Sequence, residues 1–372
     1  MKGNKLIKIL AVMALLISLC AIITGCRSIG AQQDDGSYDS SVITLSGLDS
    51  GDMTLSFKEI KEMDSVTEKA QASRSNGETV KIKATGPLLS TLLDNCGISL
   101  DDYSTVRFNA TDGYSIAVPP DILKSSDIII ACYDDGKLLS QEDGPMRVVV
   151  VGQRAMYWVR NLESIDFESD SGVQVADKVV FLDTAMKQPG NETVDLDSGS
   201  QECRSTSLLI SEYDSIDDNT IQNVYISASD GLVKNEKKDN FLGKYLTVSG
   251  DSAPAFNAPG LQEGMTVDGL LTVNYGKTAF FSVSQAMNCM GLTETDGHEA
   301  LALSAVLRKI GSLSSDTYRF TDISGNSFEY TSEELTDPAV YIENGCAAFS
   351  AGTSDSFHID IPNLLTIESA ES

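Results

Sequence analysis

One order of motifs returns along this chain and limits the folds open to it: an amphipathic helical stretch, a strand, a tight bend and a second strand. The first pass is the fullest. GPLLSTLLDNCG (86–97) places Leu88, Leu89, Leu92, Leu93 and Cys96 at helical spacing, with Gly97 as the stop. STVRFNATDGYSIAV then alternates as strand, turn, strand, bending at Asp112-Gly113. Upstream, SFKEIKEM opens with a capping box of Ser56 and Glu59 and sets Phe57, Ile60 and Met63 on one face. Downstream, Pro119-Pro120 starts a short helical turn, DIIIACYDDGKLL is a buried strand running to a second Asp-Gly, and RVVVVGQRAMYWVRNLESIDF is strand-rich.

The order returns near the C-terminus. FFSVSQAMNCM stands where the first helix was, and ALSAVLRKIG sets Leu303, Val306, Leu307 and Ile310 on one face before Gly311. TYRFTDISGNSFEY repeats the strand, turn, strand; TSEEL takes the place of PPDIL; AVYIENGCAAF that of IIIACYDDGKLL; NLLTIES closes as NLESIDF does. A fainter pass lies between them, with VVFLDTAM, the helix TSLLISEY, NVYISASDGLV bending at Asp230-Gly231, YLTVSGDSAPAF and a closing LLTV. Self-similarity at this period predicts tandem units that stack: unit A over 42–170, unit B over 176–275 and unit C over 276–372. The expected fold class is α+β, with β-rich units, mixed sheets and short helices.

The N-terminus predicts a different fate. Lys2, Lys5 and Lys8 precede an apolar run over 9–23 that ends in ITGC (23–26). This is the pattern of a secretory signal, and the run is shorter than the ~20 residues of a spanning helix. The expectation is a lipoprotein signal peptide over 1–25, a lipidated Cys26 as the new N-terminus and a flexible tether over 26–41. The chain is then held to the cell membrane by lipid on its extracytoplasmic face. Removal of 1–25 takes three lysines and no acid, so the net charge moves from −27 to −30. A surface this acidic repels phosphate backbones and argues against nucleic-acid partners.

Other chemistry is thin. Cys96, Cys132, Cys203, Cys289 and Cys346 have neither paired nor zinc-type spacing, and most of them read as small core residues. His298 and His358 are the only histidines, and no G-x-S-x-G elbow, G-x-G-x-x-G or Walker pattern accompanies them. DLDSGSQE (195–202) and DSIDDN (214–219) lack full calcium-loop spacing and read as acidic turns. Trp158 reads as core, and Tyr103, Tyr114, Tyr133 and Tyr157 as strand residues that pack or border a groove.

Across about 110 residues, unit A resembles the molybdopterin-binding oxidoreductase domain of the sulfite oxidase family. The residues carrying the resemblance are Gly86 to Leu93, Asp112-Gly113-Tyr114, ACYDDGKLL (131–139), Gly144-Pro145-Met146-Arg147 and YWVRNLESI (157–165) with Trp158 in place. It implies the family's fold, with units B and C as degenerate relatives. It also implies a cysteine thiolate on molybdenum, between the first helix and the Gly-x-x-L helix; a soft anionic donor suits that metal. Here the interval SVTEKAQASRSNGETVKIKAT (65–85) has no cysteine, only Ser73 and Ser75 as hydroxyls without a base. Cys203 comes too late in unit B and Cys289 too early in unit C. Val151 and Gly152 stand near the family's second proline, and Tyr157 replaces the lysine of its K-W-V motif. MKGNKLIKIL also has no arginine pair, so the export signal suits a route that threads unfolded chain without a folded-in cofactor.

The expectation is therefore a non-catalytic protein that binds a small ligand or surface protein, with no cofactor and no metal site. Arg74, Arg147, Arg154, Tyr157 and Arg160 are the candidates for its cleft, because guanidinium suits phosphate or carboxylate; Arg147 and the 65–85 segment are expected to border it. Two alternatives stand beside this: a molybdopterin-dependent oxidoreductase with atypical metal ligation, and a structural surface spacer.

Overall fold

The computed structural model describes residues 37–370 except 75–77, 104, 169–174, 263, 312–314 and 354–356. The signal peptide, Cys26 and Ser75 lie outside the described residues. Among those residues no helix is long and apolar enough to cross a membrane.

Unit A contains β1 (Val42–Ser46), β2 (Met53–Ser56), β3 (Val66–Ser73), β4 (Thr79–Gly86), β5 (Thr105–Ala110), β6 (Ser115–Val118), β7 (Ile128–Ala131), β8 (Tyr133–Asp134), β9 (Lys137–Leu138), β10 (Arg147–Val150) and β11 (Leu162–Glu168). Its main sheet has the order β2-β1-β11-β5-β6, with β1 parallel to β11 and the other pairs antiparallel. The capping box forms as the sequence requires: Glu59 N donates to Ser56 Oγ (3.2 Å), and Ser56 N to Glu59 Oε2 (2.7 Å). It starts the helix Phe57–Lys61, which buries Phe57 and Ile60. The helix Leu89–Cys96 buries Leu89, Leu92 and Leu93 and stops at Gly97, whose φ of +70° suits glycine. Gly86 has a separate reason to be glycine: a Cβ there would lie 2.0 Å from Ile130 O, so only glycine lets β4 run so close to β7.

Residues 37–41, expected as the end of the tether, are tied to this unit. The Tyr38 ring meets Phe57 edge-on at 5.8 Å, and Asp39 pairs with Lys61.

Unit B adds β12 (Lys178–Phe181), β13 (Glu192–Leu196), β14 (Gly199–Ser205), β15 (Asn223–Ala228), β16 (Val233–Lys237), β17 (Tyr245–Thr247), β18 (Phe256–Asn257) and β19 (Leu270–Tyr275). Unit C adds β20 (Thr278–Phe281), β21 (Thr293–Thr295), β22 (His298–Ala302), β23 (Thr317–Asp322), β24 (Ser327–Thr331), β25 (Leu335–Glu343), β26 (Cys346–Thr353), β27 (His358–Ile361) and β28 (Leu364–Ser369). Where PPDIL forms the helix Pro120–Ser125, TSEEL is a turn. No proline presets its φ, and Glu334 closes the turn on Thr331, accepting from its N–H at 2.7 Å.

The two units do not keep separate sheets. One eight-stranded sheet runs β16-β15-β19-β20-β12-β28-β23-β24. The opening strands are exchanged: β20 of unit C pairs with β19 of unit B, and β12 of unit B pairs with β28 of unit C. β12 and β20 lie parallel at the centre. The boundary expected at residue 276 therefore falls in a tight turn between neighbouring strands of one sheet. Side-chain alternation along the strands then builds two cores on opposite faces. Val179, Phe181, Ala279 and Phe281 face the core of unit C, while Val180 and Phe280 face that of unit B. Asp183 adds a polar link, accepting from the N–H groups of Val283 (2.6 Å) and Ser284 (3.2 Å) at the start of the helix Val283–Met287. The chain is thus α+β, built from tandem β-rich units with mixed sheets and short helices.

Candidate functional site

Unit A meets unit B where β6 lies against β16. A buried polar network fixes this contact. Arg107 donates from Nε to Glu168 (2.9 Å) and from its two Nη atoms to the carbonyl and side-chain oxygens of Asn235 (3.2 Å each). Lys237 also reaches Glu168, at 2.7 Å. A second contact lies further along. Gln262 Nε2 donates to Asp112 O (2.9 Å), and Gly264 approaches Tyr114 so closely that a Cβ would sit 3.2 Å from its hydroxyl.

Beside these contacts opens a cleft of about 870 Å³ between the two units, within the ~300–1,000 Å³ range of small-molecule sites. Arg74, Arg147, Arg154 and Arg160 all line it, with Ser73, Tyr114 and Trp158. Arg74 lies at the end of the β3–β4 hairpin, Arg147 opens β10, and Arg154 and Arg160 flank the turn that carries Trp158. Arg147 is the most enclosed of the four, with 15% of its side chain exposed. Its guanidinium lies 5.6 Å from the centre of the Trp158 ring, and Trp158 is held in turn by its own N–H on Val150 O (2.9 Å). Arg147 Nη1 reaches Asp143 at 3.1 Å, but its buried Nε has no hydrogen-bond partner among the described residues. Burial lowers the Arg147 pKa; Asp143 opposes this, and the charges of Arg160 and Arg74 add to the lowering. Arg160 and Arg74 each touch one exposed carboxylate, Glu142 at 3.3 Å and Glu78 at 3.4 Å. Such contacts leave most guanidinium N–H groups open to a ligand.

Arg154 differs from these three. It crosses to unit B, with Nη1 on Asp230 Oδ2 (2.8 Å) and Nη2 on Asp230 O (3.1 Å). Tyr157 does not line the cleft. It is buried behind the wall with its hydroxyl 3.5 Å from Val233 O, and burial pushes its pKa up to about 12. Of the four tyrosines marked in the sequence, Tyr114 alone lines the cleft; its hydroxyl donates to Met156 O at 2.6 Å, and burial raises its pKa.

The far wall comes from residues the sequence did not mark as functional. Ser229, Asp230, Asp251, Asp268 and Gly269 of unit B line it, with Gln285 from the start of unit C. Gly269 has a left-handed φ of +60° that strains any other residue, and a Cβ there would also sit 2.7 Å from Ser229 Oγ. Asp230-Gly231 was visible only as a turn.

The remaining sequence candidates lie elsewhere. Ser350 Oγ donates to Asp296 Oδ2 (2.6 Å), which also meets His358 Nε2 (3.2 Å). The carboxylate sits between serine and histidine, so the histidine cannot act as base on the serine. His298 stacks on Tyr341 at 4.6 Å. The two acidic stretches are turns: Asp195 accepts from Ser200, and Asp218 from Thr220 N at 2.8 Å.

Residues 33–174 match the model of the oxidoreductase molybdopterin binding domain. The N-terminal unit is thus a molybdopterin-binding-like, oxidoreductase-type domain, and the match stops where unit B begins. No curated protein matches the chain. Among solved structures, the sulfane dehydrogenase SoxCD from Paracoccus pantotrophus is similar at 13% identity, over 89% of this chain and 80% of that one, with a TM-score of 0.33.

The family implies a molybdopterin cofactor, and the cleft's donors test the fit. Its lining offers guanidinium, hydroxyl, amide and carboxylate groups but no cysteine. Burial raises the thiol pKa of Cys96, Cys203, Cys289 and Cys346, and none of the four lines the cleft. Among the described residues no group of three His, Cys, Asp or Glu is placed to hold a metal ion. The donor set suits an anionic organic group and does not suit a soft, thiolate-ligated metal.

Proposed function

We propose that this is a lipid-anchored extracytoplasmic protein that binds a small anionic ligand in the cleft between units A and B, without redox chemistry. The carrying observation is that Arg74, Arg147 and Arg160 share one wall, with a buried Arg147 Nε that has no partner among the described residues. The absence of cysteine from the cleft lining and the unfolded-chain export signal support a non-catalytic role. In this reading units A, B and C are diverged repeats and Cys26 carries the lipid. A spacer would have no use for a cleft walled by arginines.

Titration calorimetry with citrate and with inorganic phosphate tests the cleft. Arg147→Ala is expected to weaken the better of the two by about ten- to a hundredfold, the size of a lost charge-assisted hydrogen bond. Failure of both anions, and of every short carboxylate-bearing peptide, to bind the unaltered protein overturns the proposal. Stoichiometric molybdenum in protein purified from its native host would restore the oxidoreductase alternative. Cys26→Ala tests the anchor: the protein is expected to leave the membrane fraction, and its retention there refutes lipidation at this residue.

A further inference from the structure

We infer that the ligand is a zwitterion, with its carboxylate at the arginine wall of unit A and an ammonium group at Asp251 and Asp268 of unit B. This rests on the anion-binding reading above and narrows it.

The two walls carry opposite net charge, four arginines with Asp112 on the unit A side and Asp230, Asp251 and Asp268 on the unit B side, and they are not used alike by the protein. On the unit A side each of Arg74, Arg147 and Arg160 is steadied by one carboxylate from outside the cleft lining, which leaves donors free. On the unit B side the one carboxylate that takes an arginine is Asp230, held by Arg154. Asp251 and Asp268 also line the cleft, and neither makes an ion pair among the described residues. They are neighbours, since Gly269 N donates to Ser252 O at 2.8 Å and brings residue 268 beside the 251–252 segment. A simple dianion would gain from the arginines and be repelled by this pair. A simple amine would meet the reverse. A ligand bearing both groups satisfies both walls, and the field between them fixes its direction. A cleft of about 870 Å³ holds more than a single amino acid, so a short peptide with free termini is the class it fits best.

The probes are diglycine through pentaglycine, each also with an acetylated amine or an amidated carboxylate, titrated into the full chain. The length series removes any dependence on the span between the walls. One length is expected to bind, and capping either end to weaken it by about tenfold or more, as for loss of a charged hydrogen bond. In the Asp251→Asn, Asp268→Asn double variant the acetylated and free peptides are expected to bind alike, while amidation still weakens binding. Equal binding of acetylated and free peptide to the unaltered protein overturns the inference, as does failure of every peptide. Citrate separates the two levels. If citrate or phosphate binds and no peptide does, the zwitterion falls and anion binding stands; if no anion and no peptide binds, both fall.

Discussion

Arg107 of unit A and Asn235 of unit B are joined by two hydrogen bonds of 3.2 Å, one to the carbonyl and one to the side-chain oxygen of Asn235. Arg107 is 1% exposed and its ionic partner Glu168 is 8% exposed. Arg107 shares Glu168 with Lys237 (2.7 Å) and Asn223 (3.3 Å), and its removal leaves that buried carboxylate undercompensated and the Asn235 oxygens without these donors. Arg107→Ala is expected to lower unfolding stability by ~3–5 kcal/mol in urea titrations. A loss under ~1 kcal/mol would mean that Glu168 finds water or is held well enough by partners such as Lys237 and Asn223. The same contact fixes one wall of the cleft against the other, so Arg107→Ala should also weaken ligand binding although Arg107 does not line the cleft.

Arg154 and Asp230 also join the two units, but in solvent, with 47% and 59% of their side chains exposed. Exposed pairs contribute about 0–1 kcal/mol and are screened by salt. Arg154→Ala is therefore expected to shift the urea midpoint little, and less still at high salt. A loss as large as that of Arg107→Ala would show that the pair is a principal clasp between the units.

The architecture and the arginine wall were legible from the chain for local reasons. Capping box, glycine stops and Asp-Gly turns are short-range signals, and each sits in the element its spacing implied. Arg74, Arg147 and Arg160 come from a domain whose motifs are readable in order. The far wall was not legible, because Ser229, Asp251, Asp268 and Gln285 reach the cleft through tertiary packing. Tyr157 shows the converse: it is close to Trp158 in sequence, but its side chain turns toward Val233. The exchange of β12 and β20 was hidden too. Each opening strand is apolar on both faces, so its pattern does not say which unit it will complete.

Asp183 gives a pH signature. Burial raises its pKa, against the lowering effect of its bonds from Ser284 and Val283. The folded state therefore holds this proton at pH values where the unfolded chain has released it. Stability contributed here is present at low pH and falls as pH rises from the ordinary aspartate value, ~3.9, through the higher folded value. Asp183→Asn should flatten that part of the curve measured by urea midpoints across mildly acidic pH. An unchanged slope in the variant would assign the dependence to other carboxylates.

The exchanged strands make a stronger claim about folding. Val180 and Phe280 lie side by side in the core of unit B, although Phe280 belongs to unit C, while Val179 and Phe281 serve the opposite core. A chain ending at residue 276 would lose β20 from between β19 and β12, together with β28 beyond β12. It would leave Val180 and Phe181 uncovered at a raw sheet edge. Phe280→Ala within the full chain should cost ~3–5 kcal/mol, as for other large core truncations, and should destabilise both units in one transition. The fragment over 175–276 is expected to show no cooperative unfolding by circular dichroism, whereas 175–372 should unfold as a single unit. A cooperative transition in the shorter fragment would mean that unit B can close its sheet with its own β12, with the exchange arising only when unit C is present.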